Sequence, residues 1–385
     1  MTKREEALEL HSKNPGKISV DPSVEINGKE DLGLVYTPGV AEPCKEISED
    51  KEKAYDYTSK GNLVAVVSDG SAVLGLGDIG AEASMPVMEG KANLMKKFGD
   101  VDGFPVVLDS GKPEDMIESV ERMAPTFGAV NLEDISAPEC FRVEEALKNR
   151  LNIPVFHDDQ HGTAIVVKAA LENSLELADK SLEDSRIVVV GAGAAGIAVS
   201  NFLIEAGAEK VVPVDSSGIL RIDDDNIYKA DLAEKTLASE EFGGLSDALE
   251  EADVVIGLSA AGLISKEMVE SMAEDPIVFA LANPDPEILP DEAREAGAFI
   301  TATGRSDFEN QVNNSLAFPG VFRGALDVQA SEINEEMKLA ASEAIREFVD
   351  PEVEKIVPET LDKELAMKIA DRVRDAAESS GVNRK

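Results

Sequence analysis

Residues 186–196 read RIVVVGAGAAG and run directly into AGIAVSNFLIEAG. A β-branched run that ends in three closely spaced glycines and reopens as an apolar helical pattern leaves few folds available. Gly191 permits the tight turn, Gly193 lets backbone approach a pyrophosphate, and Gly196 lets helix and strand pack closely. The phosphates then lie on the first turn of the helix, at Ala194 and Ala195. The pattern alone is weak evidence, but strand, turn and helix come in the required order. Asp215 ends the next apolar run, where an acidic side chain can take the ribose hydroxyls. The segment predicts a dinucleotide site built from Gly191, Gly193, Ala194, Ala195, Gly196 and Asp215. Asp215 favours NAD over NADP, whereas Arg221, six residues on, could reach a 2′-phosphate. Both cofactors stay open.

This segment also explains Ile187 to Ile204, a run of 18 residues without a charge. That length matches a membrane span, but a buried strand followed by a packed helix accounts for it without a membrane. The N-terminus MTKREEALELHSK is charged throughout and is no signal peptide. A cytoplasmic protein with no membrane partner is expected.

The rest of the chain keeps the same rhythm. Apolar runs begin at Leu63, Pro105, Ala129 and Ile153, and then at Arg186, Lys210, Asp253, Pro276 and Ala298, with helical patterns between. Five runs in the second set describe a doubly wound parallel sheet. From Val328 onward the chain reads as helices. The expected fold class is α/β: an N-terminal α/β catalytic domain, a Rossmann-like doubly wound parallel sheet, and C-terminal helices. The boundary falls within about 151–185, giving domains at 1–160 and 161–385, since TAIVVKAALENSLELA can bridge them.

Charge narrows the function. Asp and Glu number 76 against 37 Lys and Arg, a net charge of -39. A surface this acidic repels phosphate backbones, which excludes nucleic acid as a partner. Self-repulsion of this size points to a halophilic protein, one whose surface counter-ions screen, although an ordinary acidic cytosolic chain is the alternative. Two cysteines and three histidines leave little for a Cys- or His-rich metal site, so any metal is oxygen-ligated.

Carboxylates stand where strands end. Glu133 and Asp134 follow one run, and Asp158 and Asp159 follow another; converging, they suit Mg²⁺ or Mn²⁺. Acidic pairs are also common helix caps. Lys91, read as lying at the start of a helix, can act as a general base if a nearby cation depresses its pKa. A solvated surface lysine is the bland reading. Tyr36 precedes Pro38 and Gly39 on a rigid turn that can present its hydroxyl as an acid, or it packs at a domain edge. Asn283 lies just past the fourth run of the nucleotide fold, where such folds bind ligands. Asn313 and Asn314 sit in a further loop, where their amides can hold a carboxylate or carboxamide.

YTPGVA, VLGLGDIG, MEGKANLMKKF, NLEDI, FHDDQHGTA, GAGAAG, ANPDPEI and NNSLAFPG occur here in one order. In that order the set resembles the malic enzymes, of the short bacterial and archaeal type, from about Leu34 to Ala325. The resemblance implies oxidative decarboxylation of (S)-malate to pyruvate and CO₂, with NAD or NADP reduced and Mg²⁺ or Mn²⁺ required. It makes Glu133, Asp134 and Asp159 the metal ligands, Lys91 the base and Tyr36 the acid. It places Asn283 and Asn314 on substrate or nicotinamide, and it implies a homodimer or larger assembly. One departure stands out: Ala72 lies where larger malic enzymes carry an arginine for a substrate carboxylate. The rival readings are another NAD(P)-dependent dehydrogenase on the same frame, which would need no metal, and a silent nucleotide-binding sensor, which would bind cofactor without turnover.

Overall fold

Every apolar run named above forms a strand. The computed structural model describes residues 2–14, 16–73, 75–239, 242–358 and 362–385. In its first half β1 (Leu63–Ser68), β2 (Asp102–Val107), β3 (Ala129–Leu132) and β4 (Val155–His157) form a parallel sheet in the order β2-β1-β3-β4. Val64, Ala65, Val66 and Val67 are all fully buried, so both faces of β1 are covered, as an all-parallel sheet requires. β2 begins at Asp102, ahead of Pro105, because Asp102 and Gly103 already pair with Leu63 and Val64. It is an edge strand, the one place where a proline's missing N–H costs no ladder bond.

The second sheet holds β5 (Arg186–Val190), β6 (Lys210–Asp215), β7 (Gly218–Ile219), β8 (Val254–Gly257), β9 (Ile277–Ala280) and β10 (Ile300–Thr303). Its order is β10-β9-β8-β5-β6-β7, parallel except for β7. β7 is two residues long and carries too little pattern to be read from sequence. The order reverses between β5 and β8, and ligands of such sheets bind at that crevice. The uncharged run Ile187–Ile204 is β5, a turn, and most of the helix Ala194–Glu205. Among the described residues no helix is long and apolar enough to cross a membrane.

The helix Asp158–Leu177 joins the two sheets. One apolar core runs through Val64, Phe156, Ile165, Ile187, Phe318 and Ile369, so it spans both. The C-terminal helices close back onto the first sheet's surroundings: Arg323 donates to Asn62 Oδ1 at 2.6 Å and Arg384 to the Tyr55 hydroxyl at 3.2 Å. The N-terminal helices Lys3–Lys13, Lys29–Val35 and Ala41–Glu49 behave otherwise and bury none of their residues. Leu8, Leu10, Val24, Ile26 and Leu34 on this segment are exposed.

Candidate active site

Parallel neighbours deliver their ends to the same side of a sheet, and β3 and β4 are neighbours. Glu133 and Asp134 leave β3 there, while Asp158 and Asp159 leave β4. Carboxylate oxygens of Glu133, Asp134 and Asp159 lie within 4.8 Å of one another. Asp134 takes a left-handed conformation, φ 53°, which an aspartate tolerates better than most residues. In that conformation its N–H donates to Asp159 Oδ2 at 2.8 Å and its carbonyl accepts from Ala72 N–H at 3.0 Å. Asn131 donates to Glu133 Oε2 at 2.8 Å.

Lys91 reaches this cluster from the middle of the helix Ala81–Gly99, not from a helix start as its sequence suggested. Pro86 lies inside that helix, where its ring and missing N–H deny the carbonyl of Glu82, an exposed residue near the helix start, its usual partner. Lys91 is buried, with Nζ 2.8 Å from Glu133 Oε1, 2.5 Å from Asp158 Oδ2 and 4.3 Å from the centre of the Phe318 ring. Burial pulls its pKa down, but the charges of Asp158, Glu133 and Asp159 overrule burial and hold it above the usual lysine range. This is the reverse of the depressed value expected for a base beside a cation.

The carboxyls answer in kind. Burial pushes Asp158 up to about 7 and Asp159 up to about 6, and it raises Glu133 as well, with Lys91 opposing each. Asp158, Glu133 and Asp159 act on the one ammonium, and Asp134 joins Glu133 and Asp159, so acidic groups outnumber the cation. All the donors are hard oxygens, and this chemistry fits Mg²⁺ or Mn²⁺. Behind the cluster Glu144 accepts from His161 Nε2 at 2.7 Å, His157 N–H at 3.2 Å and Gln160 at 3.2 Å, bracing the turn that carries both aspartates.

Tyr36 is absent from this group. It follows the helix Lys29–Val35 on a turn, as expected, but it is 68% exposed and lines no part of the cleft. The acid expected beside Lys91 is therefore not supplied by that side chain within the monomer.

Beside the carboxylates opens a cleft of about 660 Å³. Asp134, Asp159, Ala194, Ala195, Asn283 and Asn314 all line it. Gly191 has φ +111°, and a Cβ on Gly196 would lie 1.7 Å from the Gly191 carbonyl, so the close helix–strand contact admits no other residue there. A Cβ on Gly193 would meet nothing, which leaves that backbone open to a ligand. Asp215 ends β6, with Ser217 N–H 2.7 Å from Oδ1 and Lys229 Nζ 2.5 Å from Oδ2. Arg221 pairs with Asp223 at 2.7 Å.

Sequence reasoning missed several of these contacts. Asp158 was legible only as half of an acidic pair, and nothing marked it as the partner of Lys91. Lys229 and Phe318 meet the site only through the fold and carry no local signal. Among the described residues no arginine or lysine lines the cleft, and Ala72 does.

Comparison with known proteins finds relatives along the whole chain. The family model "Malic enzyme, N-terminal domain" matches residues 15–148, and "Malic enzyme, NAD binding domain" matches residues 160–378. A bifunctional malic/malolactic enzyme of Bacillus subtilis is 54% identical over 390 residues, covering 100% of this chain and 95% of its own. An NAD-dependent malic enzyme of Geobacillus stearothermophilus is 52% identical, covering 96% of this chain and 78% of its own. The crystal structure of malic enzyme from Pyrococcus horikoshii superposes with a TM-score of 0.95 at 50% identity, covering 99% of this chain and 92% of that one.

Proposed function

The chain belongs to the malic enzyme family, and from that we propose that it converts (S)-malate to pyruvate and CO₂ while reducing NAD⁺ or NADP⁺. The observation that carries this reading is the convergence of Lys91, Glu133, Asp134 and Asp159 beside a cleft that Asp134, Asp159, Ala194 and Ala195 line. Glu133, Asp134 and Asp159 would hold the divalent ion. Bound there, it supplies a Lewis acid for the C2 oxygen and for the enolate left when CO₂ departs.

Lys91 is the group that takes the C2 hydroxyl proton, and a bound nicotinamide would supply the hydride acceptor. Lys91 must be neutral to take the proton, which requires that the charge of Glu133 and Asp158 be compensated by something other than its own ammonium. The Phe318 ring and burial limit the access of water to Lys91. Asn283 and Asn314 orient substrate and nicotinamide through uncharged amides. Tyr36 protonates C3, and it does so in a second copy of the chain. Its exposure, the unburied N-terminal helices around it, and a cleft that no arginine or lysine lines among the described residues all support a homodimer or larger assembly. We place the protein in the cytoplasm, and the net charge of -39 supports salt adaptation.

The test follows reduced-nicotinamide absorbance with malate, Mn²⁺ and either NAD⁺ or NADP⁺, in dilute buffer and in molar KCl, with pyruvate assayed afterwards. Metal-dependent reduction with matching pyruvate is expected, and faster in KCl. Reduction without metal or without pyruvate would sink the malic enzyme reading, and full activity in dilute buffer would sink the salt adaptation.

A further inference from the structure

Where β8 and β9 end, a carboxylate lies out of reach of solvent. Glu287 is 0% exposed, and among the described residues no lysine, arginine or histidine pairs with it. Its Oε1 accepts from Ser259 N–H at 2.8 Å and its Oε2 from Ala282 N–H at 3.0 Å. One side chain therefore ties together two loops that leave adjacent parallel strands. Backbone bonds reinforce the tie: Gly262 N–H donates to the Pro286 carbonyl and Ile264 N–H to that of Glu287, both at 3.1 Å. Burial pushes the carboxyl up and the two loop N–H groups pull it back. Gly257, the last residue of β8, makes the space, since a Cβ there would lie 2.4 Å from the Glu287 carboxyl carbon.

A buried carboxylate without a cation is among the costlier features a fold can carry. Here it fixes one loop against another, and both loops form a wall of the cleft. Leu258, Ser259 and Ala260 come from the first, and Leu281, Ala282 and Asn283 from the second.

We propose that Glu287 is a positioning residue for the nicotinamide cofactor. It locks the two loops into a single wall, sets the Asn283 amide, and leaves the acidic cluster on the other side of the cleft untouched. This rests on the reading of the cleft as the cofactor site. The role differs from mere stabilisation because it acts on one ligand and spares the other.

The experiment titrates NADH by fluorescence and Mn²⁺ by the loss of its free-ion electron paramagnetic resonance signal, and it also records the unfolding midpoint. The wild-type chain, Glu287→Gln and Gly257→Ala are compared. Glutamine keeps the shape of the side chain but turns an amide toward two N–H donors that need acceptors. Alanine at 257 displaces the carboxylate without removing it. Both variants should weaken NADH binding about tenfold and raise KM for NAD⁺ more than they lower kcat, the scale of one lost charged hydrogen bond. Mn²⁺ binding should stay within about twofold of wild type, on the same scale. A lowered midpoint with unchanged NADH binding would make Glu287 purely structural and overturn the proposal. Equal losses of NADH and Mn²⁺ would overturn it too. If the wild-type chain itself failed to bind NADH, the cofactor reading would fall first. Should Glu287→Gln not fold, Gly257→Ala decides by the same criteria.

Discussion

Lys91 and Asp158 are closed together in the interior, Nζ 2.5 Å from Oδ2, and Asp158 is wholly shielded from solvent. Asp158 is not among the three carboxylates that cluster for a cation. Lys91 thus has one partner shared with the cation cluster, Glu133, and one of its own.

Removing the lysine should act on catalysis and on stability by separate routes. Lys91→Ala is expected to cut turnover by ~10²–10⁴-fold, the loss of an acid–base group. Without metal it should also destabilise the chain by about 3–5 kcal/mol, because two buried carboxylates lose their counter-charge. Steady-state kinetics and urea unfolding read the two effects. Near-normal turnover would take Lys91 out of the mechanism.

The placement of Tyr36 makes a sharper demand. It is 68% exposed while Lys91 is buried. Tyr36→Phe and Lys91→Ala should each be nearly inactive alone. Co-expressed with different tags and purified as a hybrid population, they should regain up to about half of wild-type turnover, since in a two-fold dimer one of the two sites in a hybrid is intact. No recovery would confine Tyr36 to its own subunit.

The glycine turn separates packing from ligand approach. Gly196→Ala places a Cβ 1.7 Å from the Gly191 carbonyl, so loss of folded protein is expected. Gly193→Ala meets nothing in the free chain and should change stability by no more than about 1 kcal/mol, the helix-cap scale. Its NADH affinity should nevertheless fall, and circular dichroism with fluorescence titration distinguishes the two. Unchanged NADH binding in Gly193→Ala would place the pyrophosphate elsewhere.

His161 gives the fold an acid limit. Burial pushes it down to about 4, with Lys338 and Lys148 adding to burial and Glu144 opposing it. An unfolded histidine titrates near 6.5, so between the two values the unfolded chain binds the extra proton. The stability that neutral His161 contributes is complete above pH 6.5 and is lost as pH falls toward 4. The stability gap between wild type and His161→Gln should therefore narrow on acidification, by on the order of 2–3 kcal/mol. A gap independent of pH would contradict this.

Much of the architecture was legible because it rests on local pattern. β-Branched runs such as RIVVV and LVAVV state their own conformation, and the spacing of Gly191, Gly193 and Gly196 states a turn. The two acidic pairs Glu133–Asp134 and Asp158–Asp159 could be read as candidates because strand ends collect at one edge of a parallel sheet, while the choice of Glu133, Asp134 and Asp159 came only from the resemblance. What escaped depends on distance in sequence. Asp158 finds Lys91 across 67 residues, Phe318 comes from a C-terminal helix, and the depth of Glu287 follows from a missing Cβ at Gly257.

The helix Asp158–Leu177 gives the molecule a kind of indivisibility. Its 20 residues, about 30 Å of rod, carry Asp158 and Asp159 in the first turn and pack against the helix of the glycine turn farther on. The chain reads as two modules, yet the seam between them runs through the reaction centre. A fragment that stopped before Asp158 would keep Lys91 and Glu133 and lose the groups that complete them. The C-terminal helices, which also pack on the helix Ala81–Gly99, would lose that part of the surface they cover. The rod itself belongs to both halves.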